Sequence, residues 1–283
     1  MAQALFGLGG AKEATVLWIP AETFSQWTAL SSLLQRYPDL RLTVGVVAAK
    51  MTPESASLLK PYIEEGRLEL ALRLAGDPIL PLIAAHSAAP RPDDIPARLA
   101  IEREQFRTLF AAPAAGFAPG AGALAPQLFD GLRAMGTAWA ATGEYAASTV
   151  SWAAAGNMVL VPLKSIAATQ RELTPADLGL PELAEPAVRV VDEASGLALE
   201  GSMLRLLSTL AEDRPGVKWL TVSQAVKARS ADLTPASGVA AWPTWVGNLE
   251  PWTANGRARR AWRLYGQAAA ALERYQNSGS ADL

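Results

Sequence analysis

The segment GFAPGAGALAPQLFDGLRAMGTAWAATGE, residues 116–144, decides how the rest of the chain is interpreted. It begins with a short apolar run that opens into a Gly/Ala loop, and Pro126 then stands where a helix can begin without losing a hydrogen bond. Apolar residues follow at helical spacing, Gly136 is suited to end the helix, and residues 139–142 form a second apolar run. A strand, a helix and a strand in so few residues predict a parallel βαβ unit, and such folds bind ligands at their strand ends.

The same alternation extends along most of the chain. Apolar runs suited to strands lie at residues 15–20, 41–49, 68–74, 116–119, 139–142, 158–163, 188–191 and 218–222. Segments with helical periodicity separate them, and Thr52 and Ser223 are predicted helix N-caps. Seven or eight strands alternating with helices predict an α/β fold, as a barrel or a doubly wound sheet.

The composition changes near residue 235. Residues 235–253 carry three tryptophans without periodicity, and residues 257–276 predict a long helix. We therefore predict a barrel domain at residues 1–234, with a Trp-rich loop and a C-terminal helix packing on it at residues 235–283. Within the barrel, Glu69 and Arg73 are expected near strand ends or on a less buried face, and the Arg/Glu spacing of residues 97–110 predicts a solvated helix face.

Composition excludes several classes of function. The chain has 283 residues, half of them hydrophobic, with a net charge of −2 and no basic block, which argues against a nucleic-acid partner. There is no cysteine, and the single histidine, His86, lies in an Ala-rich turn, whereas a catalytic zinc normally needs two or three imidazoles, so we predict no metal and no cofactor. No apolar run is long enough to span a membrane. The start, MAQALFGLGGAKEA, lacks the basic region of a signal peptide, which leaves a cytoplasmic protein and a mature exported chain both open.

Four stretches, in order, resemble glycoside hydrolase family 57. DPILPLI at residues 77–83 is similar to the family's His-Pro-Ile-Leu-Pro-Leu-Leu, and GFAPGAGALAP at residues 116–126 is similar to Gly-Met-Trp-Pro-Ser-Glu-Gly-Ser-Val-Ser. AWAATGE at residues 138–144 is similar to Trp-Ile-Ala-Thr-Asp-Glu, and TWVGNLEPWTANGRARRAWRLYGQA at residues 244–268 is similar to the closing Trp-Ile-Gly-Asp-Pro-Glu-x-Asn-x-Ala-Trp segment. The resemblance implies a distorted (β/α)7 barrel followed by helices, and retaining chemistry on α-glucans.

The resemblance also implies a missing nucleophile. The family's nucleophilic glutamate matches Ala121, and its aspartate acid, in a motif like Leu-Asp-Gly-Glu-Asn, matches Asp192 in VVDEAS. Retaining hydrolysis needs two carboxylates about 5 Å apart. The chain is therefore predicted to be a pseudoenzyme, a non-catalytic domain that binds an oligo- or polysaccharide or serves as a scaffold module for a protein partner or a larger parent chain.

Candidate site residues fall into two groups. The carboxylates are Asp77, Glu144, Asp192 and Glu193, and for each the alternative to a site role is a turn, cap or rim residue. The tryptophans, whose flat rings could stack on a sugar or pack the protein, are Trp18, Trp242, Trp245 and Trp252. Ala121 completes the predicted site as the residue at the nucleophile position.

Two other hypotheses remain open. In the first, the chain is an active retaining or inverting hydrolase or transglycosylase in which Asp192 works with Glu144, Glu193 or Asp77. In the second, GFAPG resembles the Arg-x-Pro-x-Gly loop of polysaccharide deacetylases, but one histidine cannot supply their His/His/Asp metal site, so that family is kept only as a relative by fold.

Overall fold

The computed structural model of the protein describes residues 12–86, 94–124, 126–143, 152–165, 172–178, 188–196, 198–213, 217–229, 233–236 and 249–277. Its strands are β1 Lys12–Ile19, β2 Leu42–Val47, β3 Leu68–Arg73, β4 Gly116–Phe117, β5 Trp139–Gly143, β6 Ala153–Ala155, β7 Met158–Ser165, β8 Val188–Asp192, β9 Val217–Leu220 and β10 Thr234–Pro235. Its helices are α1 Phe24–Arg36, α2 Pro53–Glu64, α3 Leu80–His86, α4 Asp94–Phe110, α5 Phe129–Ala134, α6 Ser202–Asp213, α7 Val222–Ala228, α8 Glu250–Thr253 and α9 Gly256–Asn277. Among these helices, none is both long and apolar enough to cross a bilayer.

The first of two compact units comprises Met1–Val46, Met51–Leu70 and Lys164–Ser230. Its central strand, β1, runs parallel to β2, β8 and β9. Val16, Leu17, Trp18 and Ile19 are at most 1% exposed. A strand buried on both faces is apolar throughout rather than alternating, which is why TVLWI could be recognised from the sequence.

Helices α1 and α7 of this unit begin in the same way. Thr23 and Thr221 are the N-caps, and each hydroxyl accepts a hydrogen bond from the backbone N–H three residues on. The glutamine at that third position accepts the N–H of the threonine in return, which completes a capping box. The predicted cap Ser223 is therefore wrong, because Thr221 holds that position, whereas Thr52 caps α2 as predicted.

The second unit comprises Val47–Lys50, Ala71–Leu163 and Ala231–Leu283, and its strands β3, β4, β5 and β7 are parallel neighbours. Strand β4 has only two residues, and it lies close to β5 because Gly116 has no side chain. A Cβ atom at Gly116 would stand 2.1 Å from Cε2 of Trp139, whose ring is completely buried. Trp139 can therefore occupy this position only because residue 116 is a glycine.

The hairpin of β6 and β7 was not predicted. Ala155 is paired with Met158 across the two-residue turn Gly156-Asn157, with Gly156 at φ 65°. The Gly-Asn pair is a turn signal, but three alanines carry no strand propensity. Strand β10 then pairs in parallel with β6.

Helices alternate with parallel strands, and β1 to β5, β7 and β8 are the strands of a distorted (β/α)7 barrel. The predicted α/β class, with its C-terminal helical segment, is thus confirmed. Glu69 and Arg73 lie near the two ends of β3, as predicted, and both are buried, at 9% and 2% exposure. One expectation is corrected: His86 ends a helix instead of lying in a turn. The domain boundary at residue 234 stays a prediction.

Candidate functional site

In the first unit, Asp192 and Glu193 lie at the carboxyl ends of β8 and β1. Asp192 stands beside Ile19 in the strand register, and the N–H of Glu193 donates to the carbonyl of Ile19 at 2.9 Å. Asp192 is 6% exposed, and its Oδ1 accepts the N–H of Ser195 at 2.9 Å. Its carboxylate therefore closes the turn that follows β8, at the strand edge where α/β folds carry their chemistry.

Glu193 is an acceptor for several buried donors. Its Oε2 accepts hydrogen bonds from Gln26 Nε2 and Gly201 N, both at 3.0 Å, and its Oε1 accepts one from Met203 N at 3.0 Å. The side chain thus ties helix α1 to the first turn of α6, whose N–H groups have no partner within the helix. Burial raises the pKa of Glu193 above its ordinary value of 4.5, and the donors act in the opposite direction.

Trp18 packs beside this carboxylate. Its ring is completely buried and makes an edge contact with Trp27 at 6.4 Å between centroids. The indole N–H is near enough to lower the pKa of Glu193, yet among the described residues it meets no acceptor at hydrogen-bond geometry. We therefore regard the contact with Glu193 as electrostatic.

A second buried carboxylate in this unit, Glu69 on β3, was missed by sequence reasoning. Thr43 Oγ1 and Ser223 N both donate to it, at 3.0 Å and 3.2 Å, and Thr43 Oγ1 in turn accepts the N–H of Val222 at 2.8 Å. Burial raises the pKa of Glu69 despite these donors. The network anchors the start of α7 near the amino-terminal ends of β2 and β3, where barrel residues contribute to stability.

In the second unit, Asp77 lies between β3 and α3 and adopts φ 44°. Both of its carboxylate oxygens accept hydrogen bonds from the guanidinium of Arg73, which is 2% exposed. The neighbouring loop presses against its backbone, because a Cβ atom at Gly120 would stand 2.4 Å from the carbonyl oxygen of Asp77. The loops after β3 and β4 are therefore in direct contact.

Ala121 lies in the loop after β4, also in a left-handed conformation, with φ 51° and ψ 21°. It packs against an apolar cluster, as do Leu249, Trp252 and Trp262; the buried members of this cluster are Ile79, Leu82 and Ala123. Trp262 Nε1 donates to the carbonyl of Trp252 at 2.9 Å, which joins α8 to α9. The position predicted to match the family nucleophile thus holds a methyl group in apolar surroundings.

The structure therefore brings the candidate residues together in two sets. Asp192, Glu193 and Trp18 share the first unit, and Asp77, Ala121 and Trp252 share the second. The remaining candidates lie outside the described residues: Glu144, Trp242 and Trp245.

Two further charged residues of the second unit were not recognised from the sequence. Arg73 pairs with Asp77, and Glu102 on α4 is 6% exposed, with its Oε1 accepting the N–H of Ala75 at 3.2 Å. Glu102 was assigned to a solvated helix face because its neighbours are charged, but its own position turns inward. Over the described ranges no group of three His, Cys, Asp or Glu side chains is arranged to hold a metal ion.

Comparison with known proteins gives a family match and several similar folds. Residues 23–171 match the sequence profile of glycosyl hydrolase family 57. The fold is similar to a GH57-type branching enzyme from Pyrococcus horikoshii, at TM-score 0.64 and 10% identity over 90% of this chain and 77% of that one. A GH57 branching enzyme from Thermococcus kodakaraensis gives TM-score 0.60 and 12% identity over 90% and 78% of the two chains.

The chain is also similar to the 4-alpha-glucanotransferase from Thermococcus litoralis, at TM-score 0.50 and 14% identity over 76% of its residues. It spans only 38% of that enzyme's length. None of the curated proteins matches the sequence. At these identities the structural likeness establishes the fold alone.

Proposed function

The chain belongs to glycosyl hydrolase family 57, and on that premise we propose that this domain binds an α-glucan without hydrolysing it. The observation that carries the proposal is the environment of Ala121. Retaining hydrolysis requires a carboxylate that attacks the anomeric carbon, and a methyl group has no electron pair to offer. Ala121 instead completes an apolar surface with Ile79, Leu82 and Ala123.

The candidate carboxylates that the structure describes support the same proposal. Asp77 is paired with the buried Arg73, and Asp192 accepts the N–H of Ser195. Glu193 accepts three close N–H donors from three different residues. Each of these side chains is held in place by its own partners, which is the arrangement of structural carboxylates.

Glycan binding rests on the aromatic residues beside the loop of Ala121. Trp252 is partly exposed and packs on the same apolar cluster as Ala121, which we propose as the position of the family nucleophile. An indole face suits the apolar C–H face of a glucose unit. Trp242 and Trp245 are proposed to take part in glycan binding as well.

A second candidate function is an active hydrolase in which Glu193 acts as the acid with Asp192. The raised pKa of Glu193 favours it, because a carboxyl whose pKa is raised keeps its proton to higher pH and can donate it to a leaving oxygen. Against it, Oε2 and Oε1 are already occupied by Gln26, Gly201 and Met203.

A hydrolysis assay separates the two candidates. The wild-type chain is expected to release no reducing sugar from amylose and no phenol from an aryl α-glucoside above the buffer rate. The Ala121→Glu variant should raise phenol release, and Ala121→Gly, which adds no carboxylate, should not. Wild-type release that Asp192→Asn abolishes would establish the active hydrolase, and an inactive glutamate variant would refute the assignment of Ala121 to the nucleophile position.

Calorimetry tests the binding itself with maltoheptaose. Trp252→Ala is expected to weaken affinity about tenfold, a loss of about 1.4 kcal/mol. The matched control is Phe24→Ala, because Phe24 is an aromatic residue 57% exposed on α1. Equal affinities of the wild type and the Trp252 variant, or no heat of binding at all, would contradict the proposal.

A further inference from the structure

Helix α9 has an exposed apolar face that differs from the face with which it packs. Trp262 packs against the apolar cluster of Ile79, Leu82 and Ala123, and Tyr265 lines a small cavity with residues of α3 and α4. A separate row of exposed side chains, here named the outer stripe, consists of Ala261, Leu264, Ala268, Ala271 and Tyr275. Leu264 is 52% exposed and Tyr275 is 55% exposed.

The outer stripe has the spacing of a coiled-coil seam. Its members follow one another at intervals of three and four residues, so at 3.6 residues per turn they stay within an arc of about 80°. They correspond to a and d positions over two heptads. Such a row on an otherwise polar surface marks a contact for another helix.

The charge of α9 is strongly one-sided. The helix has five arginines and one glutamate, in a chain whose overall charge is −2. Arg257, Arg259, Arg260 and Arg263 are all exposed, and across the described part of the chain none of these four makes an ion pair. Two arginines flank the outer stripe directly, since Arg260 precedes Ala261 and Arg274 precedes Tyr275. These are g positions, whose charges select the partner of a coiled coil.

We propose that the outer stripe binds an amphipathic helix of a partner protein. The apolar a and d residues of that helix would contact the stripe, and acidic residues would flank them. A second copy of this chain does not fit. Antiparallel packing sets Arg260 and Arg274 against the same arginines, and parallel packing sets Arg260 against Tyr265 rather than against an acid. A membrane surface does not fit either. Three of the five stripe residues are alanines, which allow close approach of a helix and bury little apolar area in lipid.

The test uses two labelled peptides of three heptads with leucine at a and d. One has glutamate and the other lysine at e and g, and binding to the full chain is followed by fluorescence anisotropy at about 150 mM salt. The acidic peptide is expected to bind at least about tenfold more tightly than the basic one. Arg260→Glu with Arg274→Glu should reverse this preference, and Leu264→Ser with Tyr275→Ser should weaken both peptides.

The matched control is Arg103→Glu with Arg107→Glu, which makes the same charge change at exposed arginines of α4 and should leave the preference unaltered. Circular dichroism checks that each variant is folded. Equal binding of both peptides would refute the proposal. So would adsorption to phosphatidylserine vesicles that the acidic peptide does not compete with, or a dimer in light scattering that Leu264→Ser with Tyr275→Ser dissociates.

Discussion

Replacing Glu193 tests whether the buried carboxylate after β8 holds α1 and α6 together. Its Oε2 accepts hydrogen bonds from Gln26 and Gly201, and its Oε1 accepts one from Met203, all at 3.0 Å. In Glu193→Gln one oxygen becomes an NH2 group, which cannot accept. The amide is expected to turn this group towards Met203, because that orientation sacrifices one close donor instead of two.

The magnitude follows from the number of donors left without an acceptor. A buried unsatisfied donor costs about 1–3 kcal/mol. The glutamine variant leaves one donor unsatisfied and should lose about 1–3 kcal/mol of unfolding free energy, and Glu193→Ala leaves three and should lose about 3–9 kcal/mol. The matched control is Glu200→Gln, an exposed glutamate in the segment between β8 and α6. It should change stability by less than about 0.5 kcal/mol.

The pH dependence gives a second, independent readout. Burial raises the pKa of Glu193 above 4.5, so the stability linked to its proton is fully present below that value and is lost as pH rises through the folded pKa. Glutamine does not titrate. The unfolding free energy of the wild type should therefore exceed that of the glutamine variant by more at about pH 5 than at about pH 8. Urea unfolding followed by tryptophan fluorescence measures this difference. A pH-independent difference, or an alanine variant as stable as the wild type, would refute the reasoning.

Two further predictions concern glycine packing and a buried carboxylate. Gly116→Ala places a Cβ atom 2.1 Å from the ring of Trp139 and should lower the unfolding free energy by at least about 1–3 kcal/mol. Gly131→Ala, whose Cβ atom would meet no atom within 4 Å, should raise the unfolding free energy by up to about 1 kcal/mol. Equal melting temperatures of the two variants would contradict both predictions. Because burial raises the pKa of Glu69, the unfolding free energy of the wild type should exceed that of Glu69→Gln by more at about pH 5 than at about pH 8. Glu54 is the control, because a backbone hydrogen bond lowers its pKa and its contribution to stability is lost only below about pH 4.5. The difference in unfolding free energy between the wild type and Glu54→Gln should therefore be the same at both pH values.

Most of the regular structure could be predicted because its signals are local. The apolar run of β1 and the Thr52-Pro53 start of α2 are each readable within a few residues. Some errors are local, such as the Ser223 cap, but the burial of Glu69 was missed because its partners are distant in the chain. Glu69 is buried because Thr43 and Ser223 supply donors from 26 and 154 residues away, and no periodicity in LELALR reveals them.

The candidate site shows the same division. The resemblance to the family motif alone predicts that Ala121 stands at the nucleophile position. The apolar cluster on which Ala121 packs also contacts Leu249 and Trp252, from far along the chain. Likewise, VVDEAS marks a strand end with two acids. Only the fold shows that Glu193 accepts hydrogen bonds from Gln26, 167 residues earlier in the chain, and from the start of α6.

The pairing of β1 also affects how the protein folds while it is being synthesised. Its amino-terminal half pairs with β9, so β1 leaves the ribosome about two hundred residues before the strand that completes it. At about 5–20 residues per second, that separation is a delay of about 10–40 s. During this interval the apolar segment TVLWI has no β9 to pair with, and a nascent chain in that state is a natural client for a chaperone that shields hydrophobic segments.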